Sequence, residues 1–261
     1  MPDQTERILE AILETLPKQE NWQVDLLYIG VNWTISIIRN PAGEKWAGLA
    51  ASPSFELVTN HLALRPGPNR VEPGNALKVA HWATSTDQVQ AASGLATINA
   101  LLRPDPALLE EVDAADWLVQ HGRGRKVAMV GRFPFAAEEL RPVVEKLWIF
   151  ELQPQPGEYS GEEAPQILPH ADILAITSST LVNHTLGGFL SLVQPHTKVI
   201  LLGPTTPLTP VLFQYGVDLL SGVQVADLSA LLASIEEGVS FRKVAGLRRV
   251  TLRKDFAATL N

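Results

Sequence analysis

Apolar residues recur along this chain with two different periods, and the change from one to the other divides it. Ile8, Leu9, Ile12, Leu13 and Leu16 return at helical spacing behind Asp3 and Thr5, and Pro17 closes the run. This predicts an amphipathic first helix. Val24 to Val31 and Thr34 to Arg39 are β-rich runs split at Asn32-Trp33, which reads as a hairpin. Asn40-Pro41-Ala42-Gly43-Glu44 is a turn, and Trp46 to Ala51 is a third strand. Ser52 to Asn75 is rich in proline and glycine and reads as a long loop, either a cleft wall or a surface connection. A short helix is expected at Asn75 to His81.

From Thr86 to Leu102 the pattern is helical again, through Val89, Ala92, Leu95, Ala96, Ile98 and Leu102. Gly94 and the alanines point to close packing against a neighbour. Asn99 lies on the apolar side of this helix, where an amide must find partners, structural or ligand. Arg103-Pro104-Asp105-Pro106 ends it, and Ala107 to Leu118 reads as a short acidic helix. His121-Gly122-Arg123-Gly124-Arg125-Lys126 is polar and glycine-rich just before an apolar run, so the expected domains are 1–118 and 119–261.

In the second domain short apolar runs alternate with helical ones. Strands are expected at Lys126 to Gly131, Leu147 to Leu152, Ile173 to Thr177, Val199 to Gly203 and Val217 to Val225, the last broken at Ser221-Gly222. Helices are expected from Pro134 to Val144, Leu181 to Leu192, Pro207 to Tyr215 and Ala226 to Glu237. Such alternation implies a doubly wound parallel sheet covered on both faces. The tail, Phe241 to Arg253, would add an edge strand.

Ligands of open α/β sheets collect just past the strand ends, and the candidate chemistry sits there. Gly131-Arg132-Phe133-Pro134 follows the first of these strands. A dinucleotide loop needs glycines at G-x-G-x-x-G spacing. Phe133 and Pro134 occupy the positions where backbone would approach a pyrophosphate, which argues against ordinary NAD binding. Arg132 is the cation best placed for an anionic ligand, or equally a salt-bridged surface group. Glu151 ends the next strand about 20 residues on, where a ribose-binding acid would stand, or equally a solvated end-of-strand carboxylate. Thr177, Ser178, Ser179 and Thr180, with Asn183 and Thr185 behind them, offer more hydroxyls than a helix cap needs. Gly203, Pro204, Thr205 and Thr206 repeat the arrangement after the next strand, and the two clusters would share one rim. No paired-histidine metal motif, nucleophile elbow or phosphate loop is present. His81 and His184 are the histidines nearest these segments and remain weak metal candidates.

Composition narrows the reading further. Apolar residues are 46% and charged residues 19%, enough apolar material for a sizeable core. A formal charge of −7 argues against nucleic acid as a partner. The absence of cysteine removes disulfides, thiolate metal sites and cysteine nucleophiles. The acidic, polar N-terminus has no apolar signal core and no run is long enough for membrane insertion, so a cytoplasmic location fits. Trp22, Trp33, Trp46 and Trp82 fall in the first half, which leaves room for a homodimer interface beside core packing.

Several unusual combinations occur in order: Val130-Gly131-Arg132-Phe133-Pro134, Gly157-Glu158-Tyr159, Ile167-Leu168-Pro169-His170-Ala171-Asp172, Thr177 to Thr185, Gly203-Pro204-Thr205-Thr206-Pro207-Leu208 and Leu220-Ser221-Gly222. In these the chain resembles the DUF364, or putative heavy-metal chelation, family. Ser93-Gly94-Leu95-Ala96-Thr97-Ile98-Asn99-Ala100 extends the resemblance to the first half. The resemblance implies an enolase-N-terminal-like α+β domain followed by a Rossmann-like one, with a small-molecule or metal-chelate site in the cleft between them. A metal ion or chelate would then be the bound group. Heavy metals prefer soft thiolates, so a chelate held by oxygens and one histidine is easier to reconcile with a cysteine-free chain. The alternative is an enzyme acting on a small anionic metabolite, with Glu151 or Glu158 as acid/base.

Overall fold

The computed structural model describes residues 4–18, 21–53, 74–236 and 243–257. The expected loop falls mostly on residues 54–73, outside the described residues. Helix α1, Gln4–Glu14, buries Thr5, Ile8, Leu9, Ile12 and Leu13 on one stripe. Strands β1 (Gln23–Ile29), β2 (Trp33–Arg39) and β3 (Lys45–Ala51) form an antiparallel meander. Helix α2, Ala76–Ala80, starts where the Asn75 side chain accepts the Lys78 N–H. Helix α3, Gln88–Leu101, starts on Asp87, whose carboxylate accepts the N–H groups of Val89 and Gln90.

α3 lies across the meander and against the 3₁₀ turn His81–Thr84, and one glycine sets each contact. A Cβ on Gly48 of β3 would run into the backbone of Ala96 and Ala100. A Cβ on Gly94 would run into the backbone at Trp82 and Ala83. The small-residue pattern of this helix is therefore a backbone-to-backbone contact, which leaves almost no room for side chains.

The second sheet has seven strands in the order β4-β10-β9-β8-β7-β5-β6. They are β4 (Leu109–Glu110), β5 (Lys126–Val130), β6 (Lys146–Phe150), β7 (Ile173–Thr177), β8 (Lys198–Leu202), β9 (Leu219–Val225) and β10 (Leu247–Arg253). β6, β5, β7, β8 and β9 are parallel, and β10 runs antiparallel to β9 and β4. This is a doubly wound, Rossmann-like sheet behind a small α+β unit. Its period-2 burial serves two layers. Val127, Met129, Ile173, Ala175 and Ile200 meet α4 (Ala114–Gly122) and α5 (Pro134–Leu140) through Ala115, Leu118, Ala137 and Leu140. Ala128, Val130, Leu174, Ile176 and Leu201 join a cluster with α1 and α3, so the first half is the second covering layer.

Five expectations need correction in detail. The segment Ala107 to Leu118 is divided: a 3₁₀ turn and β4 precede α4, and Asp113 caps α4 by accepting the Ala115 N–H. The tail strand β10 is interior, because the two-residue β4 covers its free edge. β9 continues through Ser221-Gly222 with its pairing to β10 intact. After α6 (Ala164–Ile167), the helix expected over Leu181 to Leu192 is two short ones, α7 (Ser179–Val182) and α8 (Leu186–Leu190). They separate at His184, whose φ of 57° no helix can accommodate. Pro207 to Tyr215 forms a 3₁₀ helix only from Pro210.

Candidate functional site

β5 has β6 on one side and β7 on the other, so the chain reverses its direction of growth at β5. Crevices open at such switch points, outside the carboxyl ends of the strands. The turn after β5 is set by Gly131, with φ +97°. A Cβ there would lie 2.9 Å from Thr177 Cγ2 at the end of β7. Only glycine both adopts this conformation readily and leaves room for Thr177.

β7 ends in the hydroxyl cluster, whose members divide by role. Thr180 Oγ1 donates to the Thr177 carbonyl at 2.7 Å, closing the turn. Ser178 is buried and its hydroxyl has no partner; its N–H donates to Leu202 O at 2.8 Å. It sits against Gly203, φ +123°, where a Cβ would lie 2.9 Å from Ser178 Oγ. Thr177 Oγ1 donates to Ser179 Oγ at 3.3 Å. Thr185 Oγ1 donates to Asn183 Oδ1 at 2.7 Å. The left-handed His184 between them is held by the first half: its carbonyl accepts from Thr5 Oγ1 at 3.1 Å, and its Nε2 lies 3.0 Å from Ala83 O.

Together these strand ends enclose a cavity of about 410 Å³, within the range of about 300–1,000 Å³ usual for small-molecule sites. Thr177, Ser179, Thr180, Asn183 and Thr185 form a polar wall, Phe133, Phe150 and Phe189 an aromatic one. Glu151 lines the cavity at the end of β6, with Leu152 beside it. Sequence reasoning missed Phe150 and Phe189 as site residues. Phe150 is the last residue of a buried strand and Phe189 lies in a helix, so both read as core.

Arg132 also lines the cavity, but its charge is committed. Its Nε and Nη2 donate to the two carboxylate oxygens of Glu158 at 2.8 and 2.6 Å. The hydrogen bond from Arg132 draws the Glu158 carboxyl down to about 2, and the Gln155 N–H assists. The same pairing raises the pKa of Arg132. The cation expected to greet an anionic ligand is thus already neutralised. Glu158, ionised down to about pH 2, is unsuited to proton transfer near neutrality. Glu151 has a looser setting: among the described residues its carboxylate accepts only the Leu152 N–H, at 3.3 Å.

The cluster after β8 does not share this cavity. Thr205 is fully buried and its hydroxyl accepts the Ala51 N–H at 2.8 Å. Asn99 Nδ2 donates to Leu49 O at 2.8 Å and to Thr205 O at 3.1 Å. Pro204, Thr205 and Asn99 therefore join the two halves, whereas Gly203 packs on Ser178 and its N–H donates to Ser221 O. Beside this seam a second hollow, of about 450 Å³, is lined by residues that include Trp46, Asn99, Arg103, Thr206 and Val223. Asn99 Oδ1 and Thr206 Oγ1 are buried without partners. Arg103 lies over Trp46 at 3.7 Å and Trp22 at 4.6 Å, so these two tryptophans are used internally. His81 is exposed. Among the described residues no three His, Cys, Asp or Glu side chains gather as a metal site, and no helix is long and apolar enough to cross a membrane.

Topology and cavity define a Rossmann-like α/β protein with a switch-point pocket and an α+β covering unit. The chain belongs to the DUF364 family, described as "Putative heavy-metal chelation", which matches residues 113–254. Residues 10–102 match DUF4213, which carries the same description. Among solved structures, a DUF364-family protein of unknown function from Desulfitobacterium hafniense DCB-2 is similar at 29% identity and TM-score 0.74, over 96% of this chain and 98% of its own. Another from Pyrococcus horikoshii shares the fold at 20% identity and TM-score 0.77, over 95% of this chain and 99% of its own. No curated protein matches.

Proposed function

We propose that this chain binds a small organic molecule, or a metal chelate of one, in the cavity over the ends of β5, β6 and β7. One observation carries this reading: a hydroxyl-and-amide wall and an aromatic wall face one cavity at the switch point. Capping alone does not require Thr177, Ser179, Asn183 and Thr185 together. A bare soft metal does not fit the donor set. The chain has no cysteine, and His184 lies between Ala83 and Thr5. A metal would enter as cargo wrapped in its own organic ligand. A homodimer and a cytoplasmic setting are compatible with this reading but do not enter it.

A second reading places the ligand in the hollow between the halves, where Asn99 Oδ1 and Thr206 Oγ1 lack partners. We favour the switch point, because Asn99 and Thr205 already serve the seam. An enzymatic role narrows to Glu151, the cavity's remaining carboxylate. Calorimetric titration of a panel of metabolites and metal chelates tests the reading. Ser179→Trp would fill the switch-point cavity and should abolish binding, while Thr206→Trp should leave it unchanged. The reverse pattern would move the site to the seam.

A further inference from the structure

The aromatic wall and Glu151 together specify more than a generic small molecule. Resting on the reading of the switch-point cavity as the ligand site, we propose that it accepts a nucleoside, its ribose diol held by Glu151 and its base against the phenylalanines.

Gly131, Glu151 and Thr177 stand at the ends of three adjacent parallel strands, β5, β6 and β7. In dinucleotide-binding sheets of order 3-2-1-4-5-6 the carboxylate ending the strand beside the glycine turn holds a ribose, and Glu151 stands at the corresponding strand end of this sheet, whose parallel strands run β6-β5-β7-β8-β9. A carboxylate is acceptor-only, so two neighbouring hydroxyls satisfy its two oxygens at once. Glu151 has that capacity to spare, since the only hydrogen bond it receives within the described residues is the long one from Leu152 N–H. Phe133 and Phe189 offer flat apolar surface for a planar base, while Phe150 is buried. The hydroxyls and amide of Thr177, Ser179, Asn183 and Thr185 remain for a polar group on the 5′ side.

The same geometry rejects polyphosphates and dinucleotides. Phe133 and Pro134 replace the residues that let a pyrophosphate approach the backbone. Arg132 is paired with Glu158, and Glu151 adds a further negative charge. The local balance therefore favours a neutral or cationic 5′ substituent over a phosphate chain.

The test is calorimetric titration of the full chain with adenosine, uridine, 2′-deoxyadenosine, ATP and 2,3-dihydroxybenzoate, a flat diol without ribose. Adenosine or uridine should bind, with the deoxy compound about 10- to 100-fold weaker, as expected for a lost hydrogen bond to a charged group. Glu151→Gln should erase that preference while leaving the melting temperature unchanged, and ATP should bind more weakly than adenosine. Equal affinity for adenosine and 2′-deoxyadenosine would overturn the inference, as would unchanged discrimination in Glu151→Gln. If 2,3-dihydroxybenzoate or another non-nucleoside binds in a Ser179→Trp-sensitive manner and nucleosides do not, the nucleoside inference falls while the cavity reading stands. Nucleoside binding that survives Ser179→Trp would sink both.

Discussion

Arg132 grips Glu158 through two parallel hydrogen bonds of 2.8 and 2.6 Å, at the mouth of the switch-point cavity. Glu158 is largely shielded, its side chain 9% exposed against 33% for Arg132. The pair ties the turn after β5 to the loop that follows β6. It also decides what the cavity can attract, because it removes the nearest positive charge.

Breaking the pair from the acid side should change both selectivity and the pH profile of stability. Glu158 is depressed to about 2 from its usual 4.5, so its stabilising effect is complete above pH 4.5. It is lost as pH falls from there toward 2, where the folded carboxyl finally protonates. Glu158→Gln should therefore melt below wild type at pH 7, with the gap closing on acidification. A gap that stays constant down to pH 2 would show that the pairing is not its source. The same variant frees Arg132, so calorimetry should detect tighter binding of phosphate-bearing compounds.

At the seam, Asn99 joins β3 to the segment after β8 through Leu49 O and Thr205 O. Asn99→Ala strands two buried carbonyls at a cost of about 1–3 kcal/mol. Asn99→Asp replaces the donor with a negative charge facing carbonyl oxygens and should be worse. Urea unfolding at neutral pH measures both. Ligand affinity at the switch point should not change in the alanine variant, and a large change would implicate the seam in binding.

Gly94→Ala should destabilise even though alanine is the better helix former by about 1 kcal/mol. The added methyl meets the backbone at Trp82 and Ala83, which no rotamer change can relieve. Overpacking of this kind typically costs about 1–3 kcal/mol. Thermal unfolding should show a lower midpoint, and a higher one would mean that α3 can slide.

The parallel sheet was legible because its strands are short apolar runs such as Val127 to Val130, three of them (β5, β7 and β8) closed by a glycine or hydroxyl. The cavity's location followed from the same punctuation at Gly131 and Thr177. What stayed hidden depends on contacts distant in sequence. Thr205 reads as a rim hydroxyl, yet its partner is the Ala51 N–H, 154 positions away. The break between α7 and α8 falls on a histidine, a weaker signal for positive φ than glycine. The two residues of β4 are too few to show a period, so β10 reads as an edge.

The contact between Gly131 and Thr177 offers a separation of two effects that act at one residue. Alanine at position 131 would have to hold φ near +97°, which costs about 1–2 kcal/mol for a residue with a Cβ. It would also press on Thr177 Cγ2 at 2.9 Å and Cβ at 3.0 Å. Thr177→Ser removes the first of these atoms and keeps the second. The double variant should therefore recover part of the stability lost in Gly131→Ala, but never all of it, because the backbone strain persists. Thr177 lines the cavity, so the single variant should also weaken ligand binding, and the double variant should regain some affinity. A thermodynamic cycle over the four proteins, read by urea unfolding and calorimetry, checks both. Strict additivity would mean that the turn relaxes away from β7 and that Gly131 serves only its own dihedral angle.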